Sequence, residues 1–188
     1  MRDVLVVVDV LNDFAHEDGD RLLASFRERI DGLRDALERA RANGVPVVYV
    51  NDQHGLWNAD RARTVGLALE GRAGAEAAAA APRDDEPLLL KARYSAFDHT
   101  ALELLLSELG AERILLAGAS TEGCIVQTGI HARELGLKVT ILTSACSTVD
   151  EEREQVALRY AEEVAGIRLA ADPAALLGPL PGAAPAPR

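Results

Sequence analysis

The stretch whose reading decides the fold is "RILLAGASTEGCIVQTGIHARELGLKVTIL", residues 113–142. It opens on an apolar run (113–118) with no polar alternation, as expected of a strand covered on both faces. A turn of small residues follows, then a segment of helical composition over 124–136. A second apolar run, 137–146, reads as another buried strand. Strand, turn, helix and strand in that order are the unit from which a parallel sheet is built. The single cysteine inside the turn, Cys124, is then either a small buried hydrophobe or a nucleophile at the start of a helix.

The same alternation extends outward in both directions. "VLVVVDV" (4–10), "VPVVYVN" (45–51), "PLLLK" (87–91) and "GIRLA" (166–170) read as further strands. The segment 22–44 has apolar residues at helical spacing (Ile30, Leu33, Leu37, Ala40) and ends on Asn43-Gly44. Residues 100–110 read as a helix between Thr100 as N-cap and Gly110 as stop, and 150–164 as a charged helix. The alanine-rich part of 64–83, ended by Pro82, fits either a short helix or a surface excursion. The fold class is therefore α/β, with a mostly parallel sheet between two helix layers. One domain is expected over residues 1–178, and the Pro/Ala-rich 179–188 as a disordered tail.

Composition narrows the function classes. The 188-residue chain is 48% hydrophobic and carries a formal charge of -10. An acidic surface disfavours non-specific contact with nucleic acid or anionic membrane. Two cysteines, Cys124 and Cys146, are too few for a disulfide framework. No apolar run approaches the roughly 20 residues of a membrane span, and the first residues lack the pattern of a secretory leader. A cytoplasmic setting is the expectation.

Ligands of open parallel sheets bind beyond the C-terminal strand ends. Three reactive side chains converge there in this reading: Asp9 after the first strand, Lys91 ending the third, and Cys124 after the fourth. Each alone has an ordinary structural explanation. Together they make chemistry. A carboxylate following "VVV" leaves a hydrophobic wall and needs a partner, which Lys91 supplies. A helix N-terminus favours thiolate over thiol at Cys124. Asp9 would accept the thiol proton while backbone N–H groups of the turn receive a developing oxyanion.

In "VVVDVLNDF", "VVYVNDQHGLW", "LLLKARYSAFDHTALELLL" and "ILLAGASTEGCIVQTGIHARELGLKVTIL", the chain resembles the isochorismatase-like cysteine hydrolases, which include nicotinamidases and N-carbamoylsarcosine amidase. The resemblance runs from about residue 3 to about 170. It implies a doubly wound six-stranded parallel sheet and an Asp–Lys–Cys triad at Asp9, Lys91 and Cys124. It further implies a cis peptide between Ala119 and Ser120, with the N–H groups of Ser120 and Cys124 as the oxyanion hole. A cysteine at 124 implies hydrolysis of a small-molecule amide, imide or ureido C–N bond through a thioester, and the family implies a homo-oligomer.

Asp52 and His54 are spaced like part of a nicotinamidase metal site, but the next histidine, His99, lies in another motif. No metal and no cofactor are therefore expected, and a nicotinamidase with a degenerate metal site is the alternative. In the metal-free reading Asn51 and Asp52 order the loop beneath the pocket. Phe14, Trp57 and Tyr94 are candidates for substrate-binding walls or for packing under loops. Arg93 is either a partner for a substrate carboxylate or a surface residue, and His16, His99 and His131 have no partner legible in the sequence. The non-enzyme alternative is a Rossmann-like binding or redox-sensing domain, although "GASTEG" is not the dinucleotide fingerprint.

Overall fold

The structure, a computed structural model, describes residues 1–180. Six strands form one parallel sheet: β1 (Asp3–Val8), β2 (Val47–Asp52), β3 (Leu88–Lys91), β4 (Arg113–Ala119), β5 (Lys138–Ser147) and β6 (Arg168–Ala170), in the order β3-β2-β1-β4-β5-β6. Seven α-helices are present among the described residues: α1 (Gly19–Ala42), α2 (Arg61–Glu70), α3 (Gly74–Ala80), α4 (Leu102–Glu108), α5 (Val126–Glu134), α6 (Glu151–Glu163) and α7 (Ala174–Leu177). The doubly wound reading holds. The chain leaves β1 toward β2 and β3, then returns to place β4 on the other side of β1. The crevice where strand order reverses therefore lies between the ends of β1 and β4.

Strand periodicity divides the core between the two faces of the sheet. Leu5, Val7, Tyr49, Leu115 and Ala117 face α1, where they meet Leu23, Phe26, Leu33 and Leu37. Val4, Val6, Val8, Val48, Val50, Ile114 and Leu116 face the other way, against Leu102 and Leu106 of α4, Ile125, and Ala132 of α5. Truncating one such leucine to alanine typically costs about 2–5 kcal/mol.

The ambiguous alanine-rich segment contributes to α2 and α3. Ala77 and Ala80 are buried, and the Ala80 carbonyl accepts a hydrogen bond from the Tyr49 hydroxyl at 2.9 Å. Small side chains let this layer sit close to the sheet. The helix expected from 100 begins two residues later, with Ala101 as its cap; the Thr100 hydroxyl still accepts the Leu102 N–H at 3.2 Å. The helix expected over 124–136 is preceded by a single π-helical turn, Thr121–Ile125, so its regular part is shorter than its composition suggests. The expected tail lies, from residue 181 onward, outside the described residues.

Gly118 fixes how closely β4 approaches β1. Its φ is +124°, and a Cβ there would lie 1.9 Å from the Val8 carbonyl oxygen. Only glycine tolerates both conditions, and the two strand ends that carry Asp9 and the cysteine turn are drawn together as a result.

Candidate active site

Asp9 follows β1 directly, with φ +52°. A non-glycine residue in this left-handed region costs on the order of 1–3 kcal/mol. The carboxylate that results accepts the Asp52 N–H at 2.6 Å and pairs with the Lys91 ammonium at 2.8 Å. Lys91 ends β3, two strands away, and reaches across Asp52, its register partner on β2. Its side chain is 1% exposed. The ammonium donates further to the Arg93 carbonyl at 2.9 Å and to Cys124 Sγ at 3.4 Å. Cys124 and Asp9 are near enough for each to shift the proton affinity of the other. The three side chains that the sequence delivers from three strand ends are thus brought together.

The electrostatics of the trio differ from the sequence-based expectation in one respect. Burial, followed by the charge of Asp9, pushes the Cys124 thiol up to about 12, and Lys91 opposes this only in part. The resting group is therefore a thiol, not the thiolate expected of a helix N-terminus. The physical reason is the neighbouring carboxylate, together with the half-buried position of Cys124 inside a single π turn. Burial likewise raises the Asp9 carboxyl, against the pull of Lys91. Burial pulls Lys91 down, but the charges of Asp9 and Cys124 more than offset it, so the ammonium stays protonated.

The turn that carries Cys124 is held on several sides. The peptide between Ala119 and Ser120 is cis. The Ser120 carbonyl accepts the N–H groups of Gly123 and Ile125, both at 3.1 Å. Glu122 accepts the Val149 N–H at 3.1 Å and the Thr148 hydroxyl at 2.8 Å, which ties the turn to the exit of β5. Asn51, 1% exposed, grips both backbone groups of Leu11, donating to the carbonyl at 3.0 Å and accepting from the N–H at 2.9 Å. The loop after Asp9 is ordered in this way, as the metal-free reading of Asn51 and Asp52 anticipates.

Asp52 and His54 do not form a metal-binding set. Asp52 accepts the His54 N–H at 2.5 Å, and His54 Nε2 donates to the Leu11 carbonyl at 3.0 Å. No third ligand joins them; among the described residues no group of three or more His, Cys, Asp or Glu is placed to hold a metal ion.

A cavity of about 1150 Å³ opens at Cys124 and includes Asp9, Asn12, Asp52, His54 and Ser120 at its reacting end. The three aromatic candidates part company here. Tyr94 lines the cavity and lies against Gly123, its ring carbons 3.8 Å from where a Cβ would stand. Phe14 is buried and stacks on Phe26, ring centroids 5.4 Å apart, behind the loop. Trp57 is 86% exposed and borders a second, smaller hollow that Lys91, Arg93 and His99 also line. Neither Phe14 nor Trp57 lines the cavity that holds the sulfur. His131 does have a partner: its Nδ1 lies 3.0 Å from the Ser95 hydroxyl. One turn earlier on the same helix, Thr128 accepts the Ala96 N–H at 2.9 Å. Both bonds fasten the loop after Lys91 to α5. Sequence reasoning missed the wall formed by α6. The signal was present as Val156, Tyr160 and Val164, apolar at every fourth position of an otherwise charged helix.

With this geometry established, comparison with known proteins is decisive about kinship. A family profile described as "Isochorismatase domain" matches residues 3–172. The chain belongs to the isochorismatase family. An uncharacterized isochorismatase-family protein of Bacillus subtilis, YaaI, is 30% identical over 160 residues, which cover 85% of this chain and 88% of YaaI. Maleamate amidohydrolase of Pseudomonas putida is 27% identical over 154 residues, 77% of this chain and 71% of that one. Among solved structures, nicotinamidase/pyrazinamidase PncA from Bacillus subtilis superposes with a TM-score of 0.73 at 27% identity, covering 90% of this chain and all of PncA. The protein is an isochorismatase-family hydrolase. No helix among the described residues is long and apolar enough to cross a membrane.

Proposed function

We propose that the protein hydrolyses the C–N bond of a small amide, imide or ureido compound through a cysteinyl thioester. One observation carries the reading: Lys91 Nζ stands 2.8 Å from Asp9 and 3.4 Å from Cys124 Sγ, and Asp9 and Cys124 both line the large cavity. Kinship with an enzyme named for amide hydrolysis, maleamate amidohydrolase, supports it.

The steps follow from the protonation states. The Cys124 thiol is pushed up to about 12 and so carries the proton, while Asp9 pairs with the Lys91 ammonium at 2.8 Å as an acceptor whose basicity burial raises. As Sγ attacks the carbonyl carbon, its proton passes to Asp9. The N–H groups of Ser120 and Cys124 receive the oxyanion of the tetrahedral intermediate. Collapse breaks the C–N bond, and the Asp9 proton goes to the departing nitrogen. A thioester remains. Water then attacks it, giving its proton to Asp9; the carboxylic acid leaves, and the sulfur regains the proton. Lys91 remains an ammonium throughout, orienting Asp9 and offsetting charge on sulfur.

The test is a screen of primary amides, ureido acids and cyclic imides for release of ammonia or amine, followed by acid quench and intact-mass analysis. A substrate should leave an acyl adduct on the peptide containing Cys124. Turnover that persists in Cys124→Ala, or product release with no acyl adduct at any time point, overturns the proposal.

A further inference from the structure

The cavity is lined by more than the reacting groups. Near the sulfur it is polar and strained, with Asp9 and His54 both at positive φ. Elements with no part in the proposed triad add an apolar set to the lining, Leu22 of α1, Val149, and Val156 and Tyr160 of α6, beside the charged Asp18, Glu152 and Arg153. Val156 and Tyr160 lie one turn apart on one helix face and are 56% and 53% exposed. Tyr94, 63% exposed, borders the same space from the side of the cysteine turn.

Helix α6 is not a loosely held surface element. On its inner side Glu154 is buried and grips Arg29 of α1 through two bonds of 2.5 and 2.8 Å, and Ala161 is packed into the core. Arg29 also donates to the Cys146 carbonyl on β5 at 2.8 Å. The helix is thereby fixed with Val156 and Tyr160 turned toward the cavity. Pockets for drug-sized molecules commonly enclose about 300–1,000 Å³. A space of about 1150 Å³ far exceeds what a small primary amide fills.

We infer that this wall is a substrate subsite, and that the substrates are amides bearing a bulky apolar or aromatic substituent, seated between Tyr94 and the Val156–Tyr160 face while the scissile carbonyl meets Cys124. The inference rests on the proposed hydrolase reading, which it deepens by naming a substrate class. A small planar amide such as nicotinamide would leave the apolar wall uncovered. An aryl-alkyl amide covers it and loses its own apolar surface to the protein. One such contact in a hydrophobic pocket is commonly worth 10–200-fold in selectivity.

The experiment has two arms. In the first, kcat/KM is compared for acetamide and 3-phenylpropanamide in the wild type, Tyr160→Ala and Val156→Ser. Both positions are exposed, so the variants should fold. Expected is a preference for the aryl amide of at least about tenfold, which each variant reduces severalfold. In the second, alkylation of Cys124 by 2-chloroacetamide is compared with alkylation by its N-benzyl analogue, a readout that needs no turnover. The benzyl compound should react faster, and Tyr160→Ala should remove the difference. Equal rates for the two labels, or a difference that survives Tyr160→Ala, overturn the subsite. So does a finding that Tyr160→Ala alters only the sedimentation of the protein, which would assign the face to a second copy of the chain. Absent hydrolysis with a persistent labelling preference would overturn the hydrolase reading and leave the subsite standing.

Discussion

The two cysteines share a chemical group and a degree of protonation, yet they occupy different chemical worlds. Burial pushes both thiols up to about 12. Cys146 lies on β5, 0% exposed, with its sulfur 3.7 Å from the Leu116 carbonyl. Cys124 is half-buried at a cavity that Asp9 also lines, and it takes a hydrogen bond from Lys91. Acidity does not separate them, since neither is a resting thiolate at neutral pH. The separation lies in whether a base stands ready to take the proton and whether a molecule can reach the sulfur. A lowered thiol pKa is one route to a nucleophile, and an adjacent general base is another.

Replacing each cysteine by alanine should break the comparison most sharply. Cys124→Ala should reduce hydrolysis by about 10⁴-fold or more, with denaturant unfolding little changed. Cys146→Ala should leave kcat within severalfold and cost roughly 1 kcal/mol of stability through the cavity it opens. Comparable activity losses in the two would show that the distinction is wrong.

A second variant sets activity and labelling in opposition. Asp9→Asn removes the base and should lower kcat by about 10²–10⁴-fold. It also removes the charge that raises the thiol and leaves Lys91 to favour thiolate. Iodoacetamide should then modify Cys124 severalfold faster at pH 7 than in the wild type. Slower labelling would mean that Asp9 does not hold the thiol neutral.

In the wild type, alkylation of Cys124 should climb about tenfold per pH unit between 7 and 10, because the thiol lies far above that window. A plateau near pH 8 would reveal a stabilised thiolate. Cys146 should remain unlabelled until the protein unfolds. Its buried thiol also makes a linkage prediction. The group's pKa is higher in the folded chain than its ordinary 9.0, so the folded state holds the proton more tightly. The associated stability is fully present below about pH 9 and is lost as pH rises toward about 12. The stability difference between wild type and Cys146→Ala should shrink over that window, as followed by urea titration.

The smallest effect belongs to Trp57. It is exposed and outside the cavity, so Trp57→Ala should leave kcat/KM within about twofold. A tenfold loss would bring the smaller hollow into the site.

Much of this site is legible in one dimension because a parallel sheet gathers its C-terminal strand ends at one edge. An aspartate after "VVV", a lysine ending "LLLK" and a cysteine after "LLAGAS" are each conspicuous, and topology alone sends all three the same way. The walls are less legible. Phe14 and Trp57 follow reactive strand ends, yet one is buried against Phe26 and the other lies exposed outside the cavity. Tyr160 and Val156 form a wall from more than thirty positions beyond the cysteine, brought back by a crossover that periodicity does not locate.

The sequence by itself determined the alternation of buried strands and amphipathic helices, and with it the edge where chemistry is assembled; hydrophobic burial depends on residue type and spacing, which are local. The tertiary structure alone decided that Cys124 rests as a thiol, that Asp52 and His54 are occupied with their neighbours, and that α6 faces the cavity. Proton affinity and pocket shape depend on distances of a few ångströms between groups far apart in the chain, and those distances exist only once the sheet has formed.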